Sequence, residues 1–352
     1  MARCFIFKPD GIGDFFLSTG FIRLMAAEFG EEELVISVLP PLEDVIRGQF
    51  PSASVIVLPL RKKRIVLNVF VANTLRCFLP WIGLLFLRVE VAVSLRNMRD
   101  YLQNVLFHSV RARRRFVAAN GLLGNGKAVR RVTEKAFVSL FRDDVTAYPE
   151  SGECTIPLEL ESHRRLASRI LNREVSAGEV RPVLRAVGES PIAGEYSLCA
   201  PYSSGNDKDI PDGRWISLFL LLEKEGRMGP LVLTGSADQA ARLGRFADAL
   251  SKVFPHPVTV ATAQGLQGFV DVIAGASMIY TVDTAAAHAA TALDCRTLVL
   301  FSGLHLGMFA PWTRSDRQCW LLAGRPDSGP AWHESLSDTQ ILEACRRIRD
   351  TF

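Results

Sequence analysis

The hydrophobic pattern of the first half of the chain predicts strands that alternate with helices. Residues 4–29 begin with a short apolar run at Cys4–Phe7 and continue through a glycine turn at 11–13. They end in a segment whose apolar side chains recur with helical spacing, at positions 17, 21, 24 and 25. Further strands are predicted at 34–39, 55–58 and 89–95, with helices at 41–47 and 101–109. Alternation of this kind is typical of a parallel sheet.

A second alternation of strands and helices starts near residue 196. Its strands are predicted at 196–200, 231–233, 258–261, 278–282 and 297–301, and its helices at 215–224, 238–250, 266–274, 285–293 and 338–349. Residues 176–195, which are rich in Gly, Pro and Ala and show no periodicity, separate the two alternations. We therefore predict an α/β protein with an N-terminal domain at 1–180, a linker at 181–195, a C-terminal domain at 196–337 and a final helix at 338–352. Two such domains in tandem suggest a cleft between them.

Two stretches of the first half combine basic and apolar or flexible residues. Residues 61–90 predict one or two helices, which either pack into the core or rest on a lipid bilayer, and the sequence favours neither. Residues 111–135 are rich in Gly and Arg and predict an exposed, weakly ordered loop. The basic clusters at 61–64 and 111–115 are interpreted first as a solvated face and second as a surface for an anionic partner.

Composition narrows the class of protein. The chain has 352 residues, of which 48% are hydrophobic and 22% charged, and a net charge of +4, as expected of an ordinary globular protein with two domains. Its seven cysteines include no C-x-x-C pair, so neither a zinc site nor a disulfide framework is predicted. No apolar run is long enough to span a membrane and no signal-peptide pattern opens the chain, so we expect a cytoplasmic protein.

Two loops of the second half carry side chains suited to a phosphorylated ligand. Ser203, Ser204 and Lys208 follow the strand at 196–200, and two hydroxyls and an ammonium at the carboxyl end of a parallel strand suit phosphate oxygens. Gly235 and Asp238 follow the next strand, where the glycine permits close backbone approach and the carboxylate suits ribose hydroxyls. Alternatively, the first loop is merely polar with Lys208 in solvent, and Asp238 only caps the helix that follows.

A third loop lies at the end of the strand at 278–282. Asp283 and Thr284 are followed by small residues that let a helix begin directly beneath them. A helix N-terminus with free N–H groups is suited to a pyrophosphate. His288 lies one turn into that helix and shares a face with Thr284. A purely structural role for His288 is the alternative.

The opening glycine turn admits several interpretations. As a dinucleotide fingerprint, Gly11 and Gly13 would make the chain a Rossmann oxidoreductase, but Phe16 occupies the position of the third glycine. Asp14, which follows the turn, either caps its own helix or is a carboxylate aimed at a substrate.

Taken together, these motifs resemble glycosyltransferase family 9, the bacterial heptosyltransferases of lipopolysaccharide synthesis. The opening GIGDFFLSTGFIRLM is similar to the family's N-terminal glycine-aspartate motif, and SSGNDKDIPDGRW is similar to its lysine loop. VDTAAAHAATAL, with the LVLFSG that follows, is similar to its Asp-Thr-Gly-x-x-His motif and the next strand. The three motifs occur in the family's order and at nearly its intervals, whereas residues 60–190 carry no matching motif.

The resemblance implies a GT-B fold, in which two Rossmann-like domains face each other across a cleft. It implies an inverting transfer, without a metal or other cofactor, of a sugar from a nucleotide diphosphate donor, usually ADP-heptose. The acceptor would be a lipopolysaccharide-core-like or other anionic glycan or glycolipid bound by the N-terminal domain. Such an acceptor suits the basic clusters and a peripheral contact with the inner membrane, and no nucleic-acid partner is expected. The alternative is a catalytically inactive nucleotide-sugar-binding protein with the same fold.

The resemblance also assigns roles to individual residues. Asp14 matches the catalytic base, with Gly13 on the acceptor side. On the donor side, the matching residues are Ser203, Ser204 and Lys208 for the diphosphate, Gly235, Asp238 and Gln264 for the nucleoside, and Asp283, Thr284, Ala285, Ala286 and His288 for the donor motif. The family's glycine after Asp-Thr is Ala285 here, and a methyl group is costly if that residue needs a positive φ or must leave room for the sugar. We expect an altered donor pocket rather than loss of function.

Overall fold

The computed structural model describes residues 3–60, 75–96, 99, 101–119, 136–149, 154–205, 207–262, 265–324 and 329–349. The chain divides into two compact units, Met1–Pro182 and Val183–Phe352. The described residues give each unit its own six-stranded sheet, in which all paired strands are parallel. The prediction of two parallel sheets flanked by helices is therefore confirmed.

The first unit is centred on its first strand. Its strands are β1 Cys4–Phe7, β2 Leu34–Val38, β3 Ser54–Val57, β4 Arg88–Ser94, β5 Arg111–Ala119 and β6 Asp144–Ala147. Its helices are α1 Ile12–Phe29, α2 Glu43–Gln49, α3 Phe78–Phe86, α4 Tyr101–Ser109 and α5 Leu158–Leu171, and 136–141 is also helical. The strand order β3-β2-β1-β4-β5-β6 is that of a doubly wound nucleotide-binding fold, with β1 between β2 and β4.

The apolar runs explain why these elements form. Every side chain of β1 and β2 is buried, as expected for strands that are covered on both faces of a parallel sheet. Helix α1 packs against α5 and lies so close to residues 180–181 that a Cβ on Gly20 would be 2.3 Å from their backbone oxygens. A glycine at this position is what lets the segment after α5 lie directly on α1.

The second unit repeats the same plan. Its strands are β7 Ser197–Ala200, β8 Leu231–Thr234, β9 Val258–Ala261, β10 Met278–Val282, β11 Thr297–Phe301 and β12 Gln318–Leu322. Its helices are α6 Asp212–Lys224, α7 Ala240–Ser251, α8 Leu266–Ala274, α9 Ala285–Ala292 and α10 Asp338–Arg349. The strand order β12-β11-β10-β7-β8-β9 puts β7 at the centre, so the two sheets share one topology. A core of aliphatic and aromatic side chains, including Trp215 and Trp332, fills this unit.

The prediction of an exposed loop at 111–135 is wrong for its first nine residues. Residues 111–119 form β5, which lies inside the sheet between β4 and β6. The arginines occupy the first half of the strand, where Arg113 and Arg114 stay exposed, and the guanidinium of Arg114 lies 4.7 Å from the centre of the Phe116 ring. Among the strand residues whose burial is described, only Phe116, Val117 and Ala118 are buried, which is too short an apolar run to reveal the strand. Residues 120–135 lie outside the described residues.

Two further strands were not predicted. β6 is an edge strand with only Thr146 buried, and β12 extends the second sheet beyond β11. Of the stretch at 61–90, residues 61–74 lie outside the described residues, and α3 confirms a helix in the remainder. Among the described helices, none combines the length and the apolar character needed to cross a membrane.

Candidate active site

The three predicted ligand loops of the second unit follow three adjacent strands. The loop with Lys208 follows β7, the loop with Gly235 follows β8, and Asp283 follows β10. These strands are neighbours in the order β10-β7-β8, so the loops leave the same edge of the sheet. The carboxyl edge of the central strands is where doubly wound sheets bind ligands.

Lys208 and Asp283 form the polar centre of this edge. The Lys208 ammonium donates to Asp283 Oδ2 at 2.7 Å and to the Asp283 backbone oxygen at 3.1 Å. The Asp283 side chain is 2% exposed and the Lys208 side chain 16% exposed. The Lys208 ammonium is therefore partly exposed above a buried Asp283 carboxylate. This ion pair contradicts the alternative interpretation, in which Lys208 extends into solvent without a partner.

His288 lies beneath the same pair as a neutral imidazole. Its Nδ1 accepts a hydrogen bond from the Trp312 indole N–H at 3.1 Å, so the proton of the neutral ring is on Nε2. That nitrogen is 3.7 Å from Asp283 Oδ1. Burial lowers the pKa of His288 to about 4, although the Asp283 charge acts in the opposite direction. The ring packs parallel to Trp312, which no local sequence pattern had singled out.

Helix α9 begins directly after Asp283. Thr284 is its N-cap, and the Thr284 hydroxyl accepts a hydrogen bond from the Ala286 N–H at 3.2 Å. Ala285 is the first helical residue and does not belong to the described residues with positive φ. The backbone at Ala285 therefore does not require glycine. Of the two possible costs of the Ala285 methyl group, a positive φ and the loss of space for the sugar, only the second remains.

The β7 loop is held by a second ion pair that the sequence did not reveal. The Ser203 N–H donates to Asp209 Oδ1 at 2.6 Å, and Arg242 lies 2.5 Å from Asp209 Oδ2. The Arg242 guanidinium stacks 3.5 Å from the centre of the Tyr202 ring. Among the described residues, the buried Ser203 Oγ has no hydrogen-bond partner, whereas Ser204 is exposed. A buried hydroxyl without a partner is costly, so Ser203 is the better placed of the two serines to bind a ligand.

The helical turn in the loop after β8 is capped by a serine and not by the Asp238 carboxylate. Ser236 and Gln239 form a capping box, and Gln239 Nε2 also donates to the Ser203 backbone oxygen at 3.2 Å. A Cβ on Gly235 would lie 2.5 Å from Gln239 Oε1, which explains the glycine. Asp238 is exposed in the first turn and does not cap the helix. Gln264, predicted to contact the nucleobase, lies outside the described residues.

Asp14 belongs to the first unit, in the first turn of α1. The N-cap of this helix is Gly11, so the alternative that Asp14 caps its own helix is not what the structure shows. Close by, Lys8 is completely buried at the end of β1, with its ammonium 3.1 Å from Asp10 Oδ2 and 3.4 Å from Glu159 Oε1. Burial alone would lower the pKa of Lys8, but the charges of Asp10, Glu159 and Asp14 outweigh it and raise the pKa.

Glu159 connects this network to further buried groups. Its Oε2 accepts a hydrogen bond from the Tyr148 hydroxyl at 3.3 Å, and its Oε1 lies 3.5 Å from His163 Nε2. Burial and the negative charges of Glu159 and Asp14 raise the pKa of Tyr148, so its hydroxyl stays protonated. Asp14, half-buried and with Gly13 before it, therefore lies beside a preorganised set of charges. Lys8 directly follows the apolar run CFIF, and this charged residue at the end of a buried strand is the sequence feature that could have indicated the network.

Within the described ranges, no group of three or more His, Cys, Asp or Glu side chains is placed to hold a metal ion. The cysteines of the described residues are all free thiols, most of them buried. Transfer without a metal or cofactor stays a prediction.

Comparison of the sequence with known proteins points to one family. The sequence model of glycosyltransferase family 9 (heptosyltransferase) matches residues 161–329, just under half of the chain. The curated lipopolysaccharide heptosyltransferase 1 of Escherichia coli strain K12 is 27% identical over 127 residues, which are 36% of this chain and 38% of that protein. The match thus spans little more than a third of the curated relative's length.

Comparison of the fold covers nearly all of the chain. The structure of E. coli heptosyltransferase WaaC with ADP has a TM-score of 0.71 at 15% identity, over 98% of this chain and 99% of that chain. The structure of the same enzyme with ADP-2-deoxy-2-fluoro heptose has a TM-score of 0.66 at 15% identity, over 97% and 98%. These likenesses confirm the predicted GT-B fold class. Together with the sequence match, they confirm that this chain is similar to glycosyltransferase family 9, the heptosyltransferases.

Proposed function

We propose that this protein is a glycosyltransferase that moves heptose from ADP-heptose to a lipopolysaccharide-core-like or other anionic glycan. The observation that carries the proposal is the Lys208–Asp283 pair at the start of α9, on the ligand-binding edge of the second sheet. The names of the similar proteins support the sugar and the acceptor, and the ADP bound to WaaC supports the nucleotide.

The second unit would stabilise the leaving nucleotide diphosphate. A departing diphosphate develops negative charge, and fixed cations and helix N–H groups lower the energy of that charge. Lys208 and the first turn of α9 offer both, and the buried Ser203 hydroxyl adds a donor. Because preorganised groups of this kind need no reorganisation during the reaction, losing one costs roughly 10²–10³ in turnover.

Asp14 would take the proton of the attacking hydroxyl. In an inverting single displacement, the acceptor hydroxyl attacks the anomeric carbon while the diphosphate leaves, and a carboxylate must accept the proton. The N-terminal turn of α1 favours the ionised form of Asp14.

The first experiment identifies the nucleotide. Melting temperatures are measured with ADP, UDP, GDP and their sugar derivatives, because a ligand of the folded state raises stability. We expect ADP species to raise the melting temperature and ADP-heptose to be consumed. Stabilisation by UDP or GDP species instead would refute the donor assignment.

The second experiment separates an enzyme from an inactive binding protein. Asp14→Asn should still be stabilised by ADP but should lose about 10²–10⁴ in turnover, whereas Lys208→Met should lose both ADP binding and turnover. Asp44→Asn, an acid-to-amide change in the first turn of α2, and Lys224→Met, at an exposed lysine of α6, are the matched controls and should change neither. Unchanged turnover in Asp14→Asn would refute its role as base. ADP binding without turnover in any variant, including the wild type, would favour the inactive binding protein.

We further propose that the acceptor contacts basic residues of the first unit and that the protein acts in the cytoplasm. Arg111, Arg113 and Arg114 are exposed on β5 and suit an anionic glycan. Removing two of these charges should raise the KM for the acceptor without changing the KM for the donor.

A further inference from the structure

The loop that follows β11, residues 302–312, brings a second histidine to the ligand-binding edge of the second sheet. β11 pairs with β10 in parallel, so this loop leaves the same edge as Asp283. The charges of Lys208 and Asp283 both act on the His305 ring, and His305 in turn acts on His288. His305 therefore lies close to the polar centre of the candidate site, although it belongs to none of the motifs that predicted that site.

Backbone hydrogen bonds hold this loop in one shape around His305. The Leu306 N–H donates to the Gly303 oxygen at 3.0 Å, and the Met308 N–H donates to the His305 oxygen at 3.0 Å. The turns on either side of the histidine use Gly303 and Gly307, whose φ values of 85° and 77° favour glycine. The position of the imidazole is thus set by the loop itself.

The His305 ring is neutral and offers one donor to a ligand. Burial, and after it the charge of Lys208, lower the pKa of His305 against the opposing charges of Asp283 and Asp207. Among the described residues, the buried Nδ1 of His305 has no hydrogen-bond partner. Orphaned buried N–H groups are rarer than orphaned acceptors, so the proton of the neutral ring is on Nε2. His305 as a whole is partly exposed, and the donor available to a ligand is therefore the Nε2 N–H.

The side chains around His305 suit a sugar better than a phosphate. Leu304 and Leu306 are 49% and 50% exposed, and the centres of the Phe309 and His305 rings are 5.5 Å apart. Phosphate sites are built from cations and from N–H groups at helix N-termini. A single neutral donor beside apolar side chains is instead typical of sites that bind partly apolar small molecules, and a sugar combines hydroxyl acceptors with C–H surface.

The order of the strands leads to the same group of the ligand. Along the edge, the loops follow one another in the order β11, β10, β7 and β8. The nucleoside is predicted at the loop after β8 and the diphosphate at Lys208 and the start of α9, so the transferred sugar would lie toward the loop after β11. We propose that His305 is a specificity-determining residue whose Nε2 N–H donates to a hydroxyl of the transferred sugar. This inference rests on the glycosyl transfer proposed above.

The test measures the binding of ADP and of ADP-heptose to the full-length protein by calorimetry, without an acceptor. His305→Ala should weaken ADP-heptose binding by about three- to tenfold, as expected for one hydrogen bond, and should leave ADP binding unchanged. His305→Phe, which keeps a ring but has no donor, should lose as much. His305→Gln, whose amide N–H can replace the Nε2 N–H, should bind ADP-heptose within about twofold of the wild type.

The matched control is His256→Ala, at a partly exposed histidine that precedes β9 and so lies away from the ligand-binding edge. It should change neither affinity, and ADP binding by each variant shows that its second unit is folded. The inference is overturned if His305→Ala and His305→Phe bind ADP-heptose like the wild type. It is also overturned if they weaken ADP and ADP-heptose equally, because the contact is then to the diphosphate, or if His305→Gln does not restore binding.

The proposed function and this inference fail in different samples. If the proposed function is wrong, the wild type itself does not bind ADP-heptose. If only the role of His305 is wrong, the wild type binds ADP-heptose and the variants fail to show the expected differences.

Discussion

The neutral state of His288 makes stability depend on pH in a predictable direction. Burial lowers the pKa of His288 to about 4, against an ordinary value of 6.5. Asp283, Lys208 and His305 are the charged or titratable groups that act on the ring, and their combined effect does not offset its burial. Between pH 6.5 and pH 4 the unfolded chain binds a proton at this histidine and the folded chain does not. The free energy of unfolding therefore falls as the pH falls through this window.

The size of the effect follows from the two pKa values. Each pH unit within the window lowers the free energy of unfolding by about 1.4 kcal/mol. The total loss of stability therefore approaches about 2 kcal/mol near pH 5 and about 3 kcal/mol near pH 4. A loss of 2 kcal/mol is a large share of the roughly 5–15 kcal/mol that stabilise a typical domain. Most carboxylates remain ionised near pH 5, so that pH separates the histidine contribution from general acid unfolding.

The assay compares the wild type with His288→Asn by urea unfolding across the window. The asparagine keeps an acceptor for the Trp312 N–H and does not titrate. Tryptophan fluorescence reports mainly on the second unit, which contains Trp312 and three others of the five tryptophans. His305 and His333, whose pKa values burial also lowers, contribute equally to both proteins. If both proteins lose the same stability between neutral pH and pH 5, His288 is protonated in the folded state and the reasoning fails.

Two further predictions concern the first unit. Gly20→Ala should lower the free energy of unfolding by about 1–3 kcal/mol or more, because the new methyl group would meet backbone oxygens at 2.3 Å. Gly244→Ala, with no heavy atom within 4 Å, should raise it by up to about 1 kcal/mol; equal effects in calorimetry would refute the close-approach argument. Lys8→Met should cost about 3–5 kcal/mol, because it removes the buried cation that offsets the charges of Asp10 and Glu159. Adding Glu159→Gln should recover part of this loss in urea unfolding, and strict additivity of the two changes would contradict a shared network.

Local sequence patterns predicted the helices and strands whose own residues form a clear apolar or amphipathic run. The helices at 101–109 and 266–274 and the strands at 258–261 and 297–301 have the predicted bounds, because each is an apolar or amphipathic run between turn residues. β5 was missed because its pairing with β4 and β6, and not its own composition, holds four arginines in a strand.

The candidate site likewise contains some residues that local patterns predicted and others that they did not. Lys208 and Asp283 were predicted separately from their loops, and the parallel order of the strands brings them together. Trp312 and Arg242 were not predicted, because each contacts its partner across more than twenty residues of chain. Their roles depend on which surfaces meet in the folded unit, and a one-dimensional pattern contains no such information.

The Lys208–Asp283 pair also limits how the second unit can bind a diphosphate. An ammonium has three N–H donors, and two of those of Lys208 already bond to the Asp283 carboxylate and backbone oxygen. One donor remains for a phosphate oxygen, and the pair as a whole is neutral. Most of the attraction for a dianionic ligand must then come from the N–H groups of α9 and from the buried Ser203 hydroxyl. It follows that Asp283→Asn, which leaves the ammonium charge unbalanced, should tighten the binding of ADP while loosening the position of Lys208.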